Sequence, residues 1–408
     1  MADIAIDSSV IADLELRFGD GRWIVTKDKD TIYSFYVDVT SADLKYNKST
    51  DGGTNWGGAV DLEVGTVLLF CIWYDKWTTG DTGTRVHVFW LEDGADDIRY
   101  KYLDTADDSL AGEVQVVDTG TASTVNLENS MTCTKAVGDN LYVGYSIEGG
   151  GTGNKGGFYR STDAGATWEI RANPYPTTNN LEQVMLLWPG NELDDDDVWA
   201  IYWAKNGNTA FRVYDNSGDV WDSTTLFGSS GTNEHDVANE QISGAIRHSD
   251  GHLIVAIWNA FDVATADLTV WDINGAASIT QKTNVLTDLD DIACCALMID
   301  QNTDDIYVGY LGDDDSGDAY LATVQVFYKI STDGAGTWGS EVAYSEDAAD
   351  DFRCLSSPMS VTTSGLWCLG WYDDDDNDLF FGVTNSIEIT APAGGGTVPL
   401  RTLMGVGT

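Results

Sequence analysis

Aromatic residues followed within three positions by acidic or amide residues recur along this sequence. An aromatic ring beside a carboxylate can bind a sugar or a cation. The candidate ligand-face residues are Tyr36, Trp90, Trp258, Tyr310 and Trp371. The alternative is that these aromatics pack between repeated units and the acids form a solvated rim.

Two acidic runs begin like a calcium loop, in which alternating oxygen ligands converge on a hard cation. Asp313 and Asp315 belong to the first run, and Asp373 and Asp375 to the second. Neither run has the acidic residue at the twelfth position that completes an EF-hand loop. Calcium binding is therefore a hypothesis, and the sequence indicates no other cofactor.

The sequence does not single out a catalytic residue. Glycoside hydrolysis needs two carboxylates at a suitable separation, and 66 acidic residues exclude nothing by that criterion. The four histidines have no metal-site spacing, and the Gly-rich stretch 149–157 lacks the Gly-Lys-Ser/Thr of a phosphate loop. The catalytic residues stay unknown.

The overall charge excludes two classes of partner. With 66 acidic against 21 basic residues the formal net charge is −45, and both nucleic acid and anionic membranes need a basic surface. The hydrophobic content of 43%, with 15 Trp, is still enough to build a large core. No apolar stretch is long enough to span a membrane, and the N-terminus does not resemble a signal peptide.

A short apolar pattern recurs along the sequence, and its copies predict the strands that position the candidate aromatic and acidic residues. Its seven copies start 53 to 60 residues apart, which is the mark of a repeat fold. The copies are 32–36, 86–90, 141–145, 198–202, 253–257, 306–310 and 366–370. Each is rich in β-branched and aromatic residues, follows a tight turn after another apolar run, and precedes a third such run, so each copy predicts the second strand of an antiparallel unit.

Seven four-stranded units without a helix predict an all-β, seven-bladed β-propeller as a single domain over residues 1–390. Residues 1–19, with Ile11–Leu16 as the apolar segment, are expected to supply the outer strand of the last blade and so close the ring. Residues 391–408 are a Gly/Pro linker and an apolar tail. The predicted blades are approximately 20–62, 63–122, 123–178, 179–235, 236–288, 289–350 and 351–390.

Three turns between third and fourth strands share one motif, Ser-x-Asp-x-Gly-x-Thr-Trp, with small departures. Its residues are Ser49, Asp51, Gly53 and Trp56; Ser161, Asp163, Gly165 and Trp168; and Ser331, Asp333, Gly336 and Trp338, with Ala335 at the usual Gly position. The motif resembles the Asp-box of bacterial neuraminidase repeat (BNR) proteins, which include sialidases. That resemblance implies a propeller fold in which the box is a structural staple away from the chemistry. The Trp is expected to fold back onto its own hairpin.

The sialidase resemblance also implies a clamp of three arginines, which the ten arginines do not provide convincingly. Arg99, Arg160 and Arg212 fall on third strands, whereas Arg22 and Arg353 begin inner strands at the channel mouth. The preferred function is therefore a non-enzymatic, glycan-recognising propeller on a cell surface or virus particle. It is attached to a protein partner or another copy through residues 394–408. The alternative is a sialidase-like glycoside hydrolase acting on extracellular glycans, and a halophilic cytoplasm stays open as a location.

Overall fold

The computed structural model describes residues 3–8, 10, 22–65, 67–92, 97–118, 130–147, 155–174, 183–190, 197–204, 209–228, 242–259, 266–289, 294–313, 324–345, 352–373 and 378–390. These residues form β-strands almost throughout, and the single helix among them is a 3₁₀ turn at Asp75–Trp77. No helix of this part of the chain is long and apolar enough to cross a membrane. All six cysteines are buried, and none forms a disulfide bond.

The strands form seven small sheets, here called blades 1 to 7, and they are numbered in chain order. The first strand, β1 (Ile4–Asp7), belongs to the last blade. Blade 1 contains β2 (Ile24–Thr26), β3 (Ile32–Val37), β4 (Leu44–Ser49) and β5 (Val60–Glu63). Blade 2 contains β6 (Val67–Tyr74), β7 (Arg85–Glu92), β8 (Asp97–Asp104), β9 (Ser109–Leu110) and β10 (Val114–Asp118). Blade 3 contains β11 (Ser130–Lys135), β12 (Leu141–Ile147), β13 (Lys155–Ser161) and β14 (Glu169–Ile170).

Blades 4 to 6 repeat the arrangement. Blade 4 contains β15 (Gln183–Pro189), β16 (Val198–Ala204), β17 (Thr209–Asp215), β18 (Val220–Trp221) and β19 (Thr225–Phe227). Blade 5 contains β20 (Ile242–Arg247), β21 (His252–Asn259), β22 (Ala266–Ile273), β23 (Ile279–Gln281) and β24 (Leu286–Leu289). Blade 6 contains β25 (Cys295–Asp300), β26 (Asp305–Asp313), β27 (Val324–Ser331) and β28 (Val342–Ala343).

Blade 7 is less regular than the others. It contains β29 (Phe352–Ser356), β30 (Ser360–Val361), β31 (Gly365–Trp367), β32 (Gly370–Asp373), β33 (Asp378–Phe381) and β34 (Ile387–Ile389). The seventh repeat copy was predicted as one strand over 366–370, and this is wrong. The strand breaks after Trp367, because β31 pairs with β34 whereas the following β32 pairs with β29 and β33. Strand β30 leaves the blade and pairs in parallel with β25 of blade 6.

The predicted seven-bladed propeller is confirmed, and so is its closure by the two ends of the chain. Strand β1 pairs antiparallel with β33, with Ile4 opposite Phe381, and forms the outer strand of blade 7. The Tyr36 hydroxyl on β3 donates to Asp7 at 2.7 Å, and the Asn47 side chain donates to the Ile6 carbonyl at 2.8 Å. The N-terminal strand therefore joins blade 7 to blade 1. The closing strand is thus Ile4–Asp7 and not the expected apolar segment Ile11–Leu16, which lies outside the described residues.

Hydroxyl groups on inner strands link neighbouring blades around the axis. Ser356 of blade 7 accepts the backbone N–H of Ile24 in blade 1 at 3.0 Å. Thr132 accepts from Leu187 at 3.1 Å, and Ser243 accepts from Leu297 at 2.9 Å, each bond reaching the next blade. These bonds satisfy backbone donors that a purely apolar core would leave without an acceptor.

The three box motifs form compact turns that are organised by their Asp. Asp163 accepts the backbone N–H of Thr167 at 2.8 Å and its hydroxyl at 2.6 Å, and Ser161 donates to it at 2.8 Å. Asp333 makes the same bonds with Thr337. These hydrogen bonds lower the pKa of both carboxyls to about 2. In the first box the side-chain amide of Asn55 replaces the Thr hydroxyl on Asp51.

The box Trp packs on the preceding blade, and Trp168 also folds back onto its own hairpin as expected, since its indole N–H donates to the Gly165 carbonyl at 3.1 Å. The Trp56 ring lies edge-on to Phe381 of blade 7 at 5.4 Å, and Trp168 lies 5.5 Å from Tyr100 of blade 2. Trp338 donates to the carbonyl of Thr283 in blade 5 at 2.8 Å. The boxes therefore hold adjacent blades together.

The backbone at the fifth box position also contacts the preceding blade. Gly53 and Gly165 have positive φ, and an added Cβ would lie 2.1 Å from the rings of Phe381 and Tyr100 respectively. In the third box, Ala335 occupies this position with φ of 63°, and its N–H donates to Ser331. Ala335 is thus the residue equivalent to Gly53 and Gly165, and Gly336 follows it.

The first box generates a stability prediction. Gly53→Ala should lower the free energy of unfolding by about 1–3 kcal/mol, because the new methyl group collides with Phe381 and the residue is held at positive φ. Urea unfolding of both proteins measures the change. Gly58→Ala is the matched control, since an added Cβ there has no neighbour within 4 Å. Equal effects of the two substitutions would contradict the role of this contact in closing the ring.

Candidate functional site

A buried arginine lies among the inner strands near the central axis. Arg22, just before β2, donates to the carbonyls of Leu187 at 3.3 Å and Cys133 at 3.4 Å. Its guanidinium carbon lies 4.8 Å from the ring centre of Trp73 and 5.0 Å from that of Trp188. Burial lowers the pKa of Arg22 to about 9, so it stays charged at neutral pH. A residue of blade 1 thereby contacts the inner strands of blades 2, 3 and 4.

One end of the axis is covered by the connection between β6 and β7, residues 75–84, which begins with the 3₁₀ turn. Trp77 in this turn is 1% exposed and packs edge-on against Trp73 at 5.8 Å. Its carbonyl lies 3.4 Å from Nε2 of His248 in blade 5, and the turn also contacts β30, the strand that pairs with blade 6. Blade 2 is a neighbour of neither blade 5 nor blade 6 in the ring, so the connection reaches across the axis.

A polar pocket of about 500 Å³ lies beside this cover, between blades 2 and 3. It is lined by Thr78, Thr79, Gly80, Asp81, Thr82, Lys135, Val137, Gly138 and Asp139. Its walls thus carry hydroxyl, carboxylate, ammonium and backbone groups with a single apolar side chain. Sugars and other polyhydroxylated molecules match such a surface, since each of these groups can donate to or accept from a hydroxyl.

The pocket is supported from behind by Asp75, which is 3% exposed. One carboxylate oxygen of Asp75 lies 3.0 Å from Nζ of Lys135 and 3.0 Å from Nε2 of His87. The other accepts the backbone N–H of Arg85 at 2.9 Å. Lys135 also pairs with Asp81, whose second oxygen accepts the N–H of Gly83 at 2.8 Å. The carboxylates thereby fix both ends of the 75–84 connection.

The protonation states follow from this geometry. Burial raises the pKa of the Asp75 carboxyl, but the His87 hydrogen bond and the Lys135 charge outweigh it and hold the pKa well below its usual range. Burial lowers the pKa of His87, so the ring is neutral at pH 7. Because the Asp75 carboxylate can only accept, Nε2 of His87 carries the proton and Nδ1 accepts from the Tyr100 hydroxyl at 2.8 Å. Lys135, whose pKa is raised, stays charged.

The five predicted ligand-face aromatics do not line this pocket. Their side chains are all buried, with exposures of 0% for Tyr36, Trp90 and Trp371, 1% for Tyr310 and 6% for Trp258. Tyr36 binds Asp7 of the closing strand, and the hydroxyl of Tyr310 donates to Glu341 of its own blade. Burial favours the packing interpretation for these aromatics. The polar residues that follow several of them lie outside the described residues.

The acids that follow these aromatics within the described part serve the structure locally. Asp38 accepts the N–H groups of Thr40 and Ser41 at 2.9 Å and pairs with Lys45 at 3.0 Å. Glu92 pairs with Arg99 at 3.1 Å. The Asp38 carboxylate therefore stabilises a turn and an ion pair, and the Glu92 carboxylate stabilises an ion pair.

The calcium hypothesis stays a prediction. Asp315, Asp375 and the side chain of Asp313 lie outside the description, whereas Asp373 is buried at the end of β32. Within the described ranges, no group of three or more His, Cys, Asp or Glu residues could hold a metal ion.

The described arginines are engaged on several different blades. Arg99, Arg160 and Arg212 lie on the third strands β8, β13 and β17 as predicted. Arg99 pairs with Glu92 and Asp97, and Arg160 pairs with Glu169. Arg22 binds backbone carbonyls on the axis. Arg17, Arg401 and the side chain of Arg353 lie outside the description.

Comparisons with known proteins establish the fold class alone. No protein-family model and no curated protein sequence matches the chain. An ulvan lyase, a polysaccharide lyase solved with -[GlcA(1-4)Rha3S]- bound, is similar with a TM-score of 0.55 and 10% identity over 95% of this chain and 96% of that chain. A protein of unknown function from Dyadobacter fermentans has a TM-score of 0.50 and 10% identity, over 96% and 98%. A Hadza microbial sialidase has a TM-score of 0.45 and 12% identity, over 84% and 73%.

The sequence offered one signal for the pocket that motif reasoning missed. Residues 75–84 separate β6 from β7, whereas 27–31 suffice between β2 and β3 and 136–140 between β11 and β12. An enlarged connection in one copy of a repeat commonly marks a binding face. No motif marks Asp81 or Lys135, because their partners come from different blades.

The buried ionic network predicts a large cost for removing its centre. Asp75→Ala should lower the free energy of unfolding by about 3–5 kcal/mol, because Lys135 loses one of its two carboxylate partners and the buried His87 ring and the Arg85 N–H lose their acceptor. Chemical denaturation measures the difference from the unsubstituted protein. Asp30→Ala, at an exposed turn of blade 1, should change it by less than about 0.5 kcal/mol. A small effect at Asp75 would show that the network does not hold the 75–84 connection.

Proposed function

We propose that this propeller is a non-enzymatic, glycan-recognising module whose ligand occupies the pocket between blades 2 and 3. The observation that carries the proposal is the rigid polar lining of the pocket. Thr78 donates to the Lys135 carbonyl at 2.6 Å and accepts from the Trp73 indole at 3.0 Å, while Asp81 is held by Lys135 and Gly83. A site whose groups are fixed before binding loses less conformational entropy when the ligand enters.

The chemistry of the lining favours binding over catalysis. A glycoside hydrolase needs a carboxylic acid with a raised pKa opposite a second carboxylate. Among the described residues, burial raises the pKa of the carboxyls of Glu63, Asp222 and Asp305, and none of these lines the pocket. Asp75 is buried as an anion, and His87 is 1% exposed behind it.

One comparison supports a carbohydrate ligand, and the box turns support the fold family. The ulvan lyase of the same fold class is solved with a polysaccharide repeat bound. The three box turns have the hydrogen bonds that their Ser, Asp and Thr or Asn residues predict, in keeping with the proposed place of this chain among Asp-box propellers. We place the protein on a cell surface or virus particle, where such a module would meet glycans.

A glycan array followed by calorimetric titration tests the proposed site. The protein should bind a subset of glycans, and Thr82→Trp should weaken that binding at least about tenfold by filling the exposed wall of the pocket. Thr280→Trp, on an exposed outer strand of blade 5, is the control and should bind normally. Unchanged binding by Thr82→Trp would place the site elsewhere. Release of the dye from chromogenic glycosides would instead favour the sialidase-like hydrolase.

The tail is proposed to attach the module to a protein partner or to another copy. Residues 394–408 carry one charged residue, Arg401, in a chain of net charge −45. Deleting them should abolish association, as measured by light scattering coupled to size exclusion, and Leu403→Asp should weaken it. An assembly state that both changes leave intact would contradict attachment through this segment.

A further inference from the structure

The charges around the pocket indicate which kind of sugar it takes. Two carboxylates, Asp81 and Asp139, belong to its lining, and Asp75 lies directly behind. Lys135 is the single cation of the lining and is already paired with both Asp75 and Asp81. Three carboxylates therefore face one ammonium group.

Among the described residues, Lys135 is the one cation that lines the pocket; Lys76 of the same connection lies over the Tyr74 ring at 5.7 Å and is not part of the lining. His87 is neutral at pH 7, because burial lowers its pKa and its proton is donated to Asp75. Arg85, the first residue of β7, lies over the ring of Tyr102 at 4.3 Å and does not line the pocket. The pocket is thus anionic within a chain of net charge −45.

Asp139 is the carboxylate best placed to meet a ligand. Asp139 is exposed at the turn between β11 and β12, and its backbone carbonyl accepts the N–H of Ala164 at 3.2 Å. Asp81, by contrast, already uses both oxygens. A cationic group entering between Asp139 and Asp81 would complete the charge balance of the pocket, whereas an added carboxylate or sulfate would be repelled.

We propose that the pocket prefers sugars that bear a free amine, such as glucosamine units, over their N-acetylated counterparts and over uronic acids. This rests on the proposed glycan site and adds the class of ligand. The ammonium of the sugar would contact Asp139 and Asp81, while its hydroxyl groups would meet the threonine hydroxyls of the 75–84 connection. The preference contrasts with the ulvan lyase, whose bound repeat contains a glucuronate and a sulfated rhamnose.

Calorimetry at pH 6 with three trisaccharides tests the preference: a glucosamine trimer, an N-acetylglucosamine trimer and a galacturonate trimer. We expect affinity to fall in that order, by at least about tenfold between the first and the last, with a stoichiometry of one. Raising NaCl should narrow the gap, because the attraction is electrostatic. Asp139→Asn should reduce the preference for the amine without changing stability, whereas Asp30→Asn, at an exposed turn of another blade, should leave it intact.

The stoichiometry and the variants separate pocket binding from general attraction of a cation to an acidic protein. Loss of the amine complex in Thr82→Trp supports the pocket, whereas several weak sites that ignore both Thr82→Trp and Asp139→Asn overturn the inference. Equal or tighter binding of the N-acetylated trimer also overturns it, but leaves the glycan site standing. If none of the three trimers binds, the amine preference is wrong, and the glycan array then decides separately whether the pocket takes another sugar.

Discussion

The pairing of β1 with β33 is the constraint on which the rest of this structure depends. In a ring of blades each sheet packs only against its two neighbours, so one open junction would expose two apolar faces. The chain closes that junction with strand hydrogen bonds, with Tyr36 and Asn47 bound to the closing strand, and with Trp56 and Gly53 packed on Phe381. A backbone ladder, a polar cluster and an aromatic contact therefore meet at the same place.

Closure of the ring also brings together the residues that surround the proposed ligand pocket. Seven inner strands converge on a narrow axis, which here holds Arg22 between Trp73 and Trp188, with Trp77 over one end. The pocket lies beside these residues, where the 75–84 connection contacts blade 3. Trp77 and the pocket are linked within one segment, because Thr78 follows Trp77 directly and bonds to both Trp73 and Lys135.

The features that repeat in every blade could be predicted from the sequence, whereas the features that occur in one blade could not. Seven copies of one apolar pattern sufficed for the blade number, and strand alternation placed most second and third strands. The seventh copy failed as one strand because β31 finds a partner in β34, a pairing that no local pattern specifies. The aromatic residues were recognised as a periodic set, but periodicity alone does not distinguish a ring that faces a rim from one that faces the next blade. The pocket could not be predicted from the sequence. Its supporting residues Asp75, His87 and Lys135 lie on three different strands or connections, and they come together only when blades 2 and 3 pack against each other.

The large acidic charge has a structural origin that also bears on the pocket. The chain has 52 Asp and only 14 Glu. The shorter side chain can accept a backbone N–H two to four residues further on, which the tight turns of a propeller require repeatedly. Asp28, Asp51, Asp81, Asp107 and Asp215 all do so. Much of the charge therefore follows from turn chemistry, repeated blade after blade. In most of these turns the carboxylate is directed at its own backbone, whereas the turn that ends in Asp139 leaves its side chain exposed at the edge of a cavity. The same preference for Asp in turns therefore also makes this pocket negatively charged.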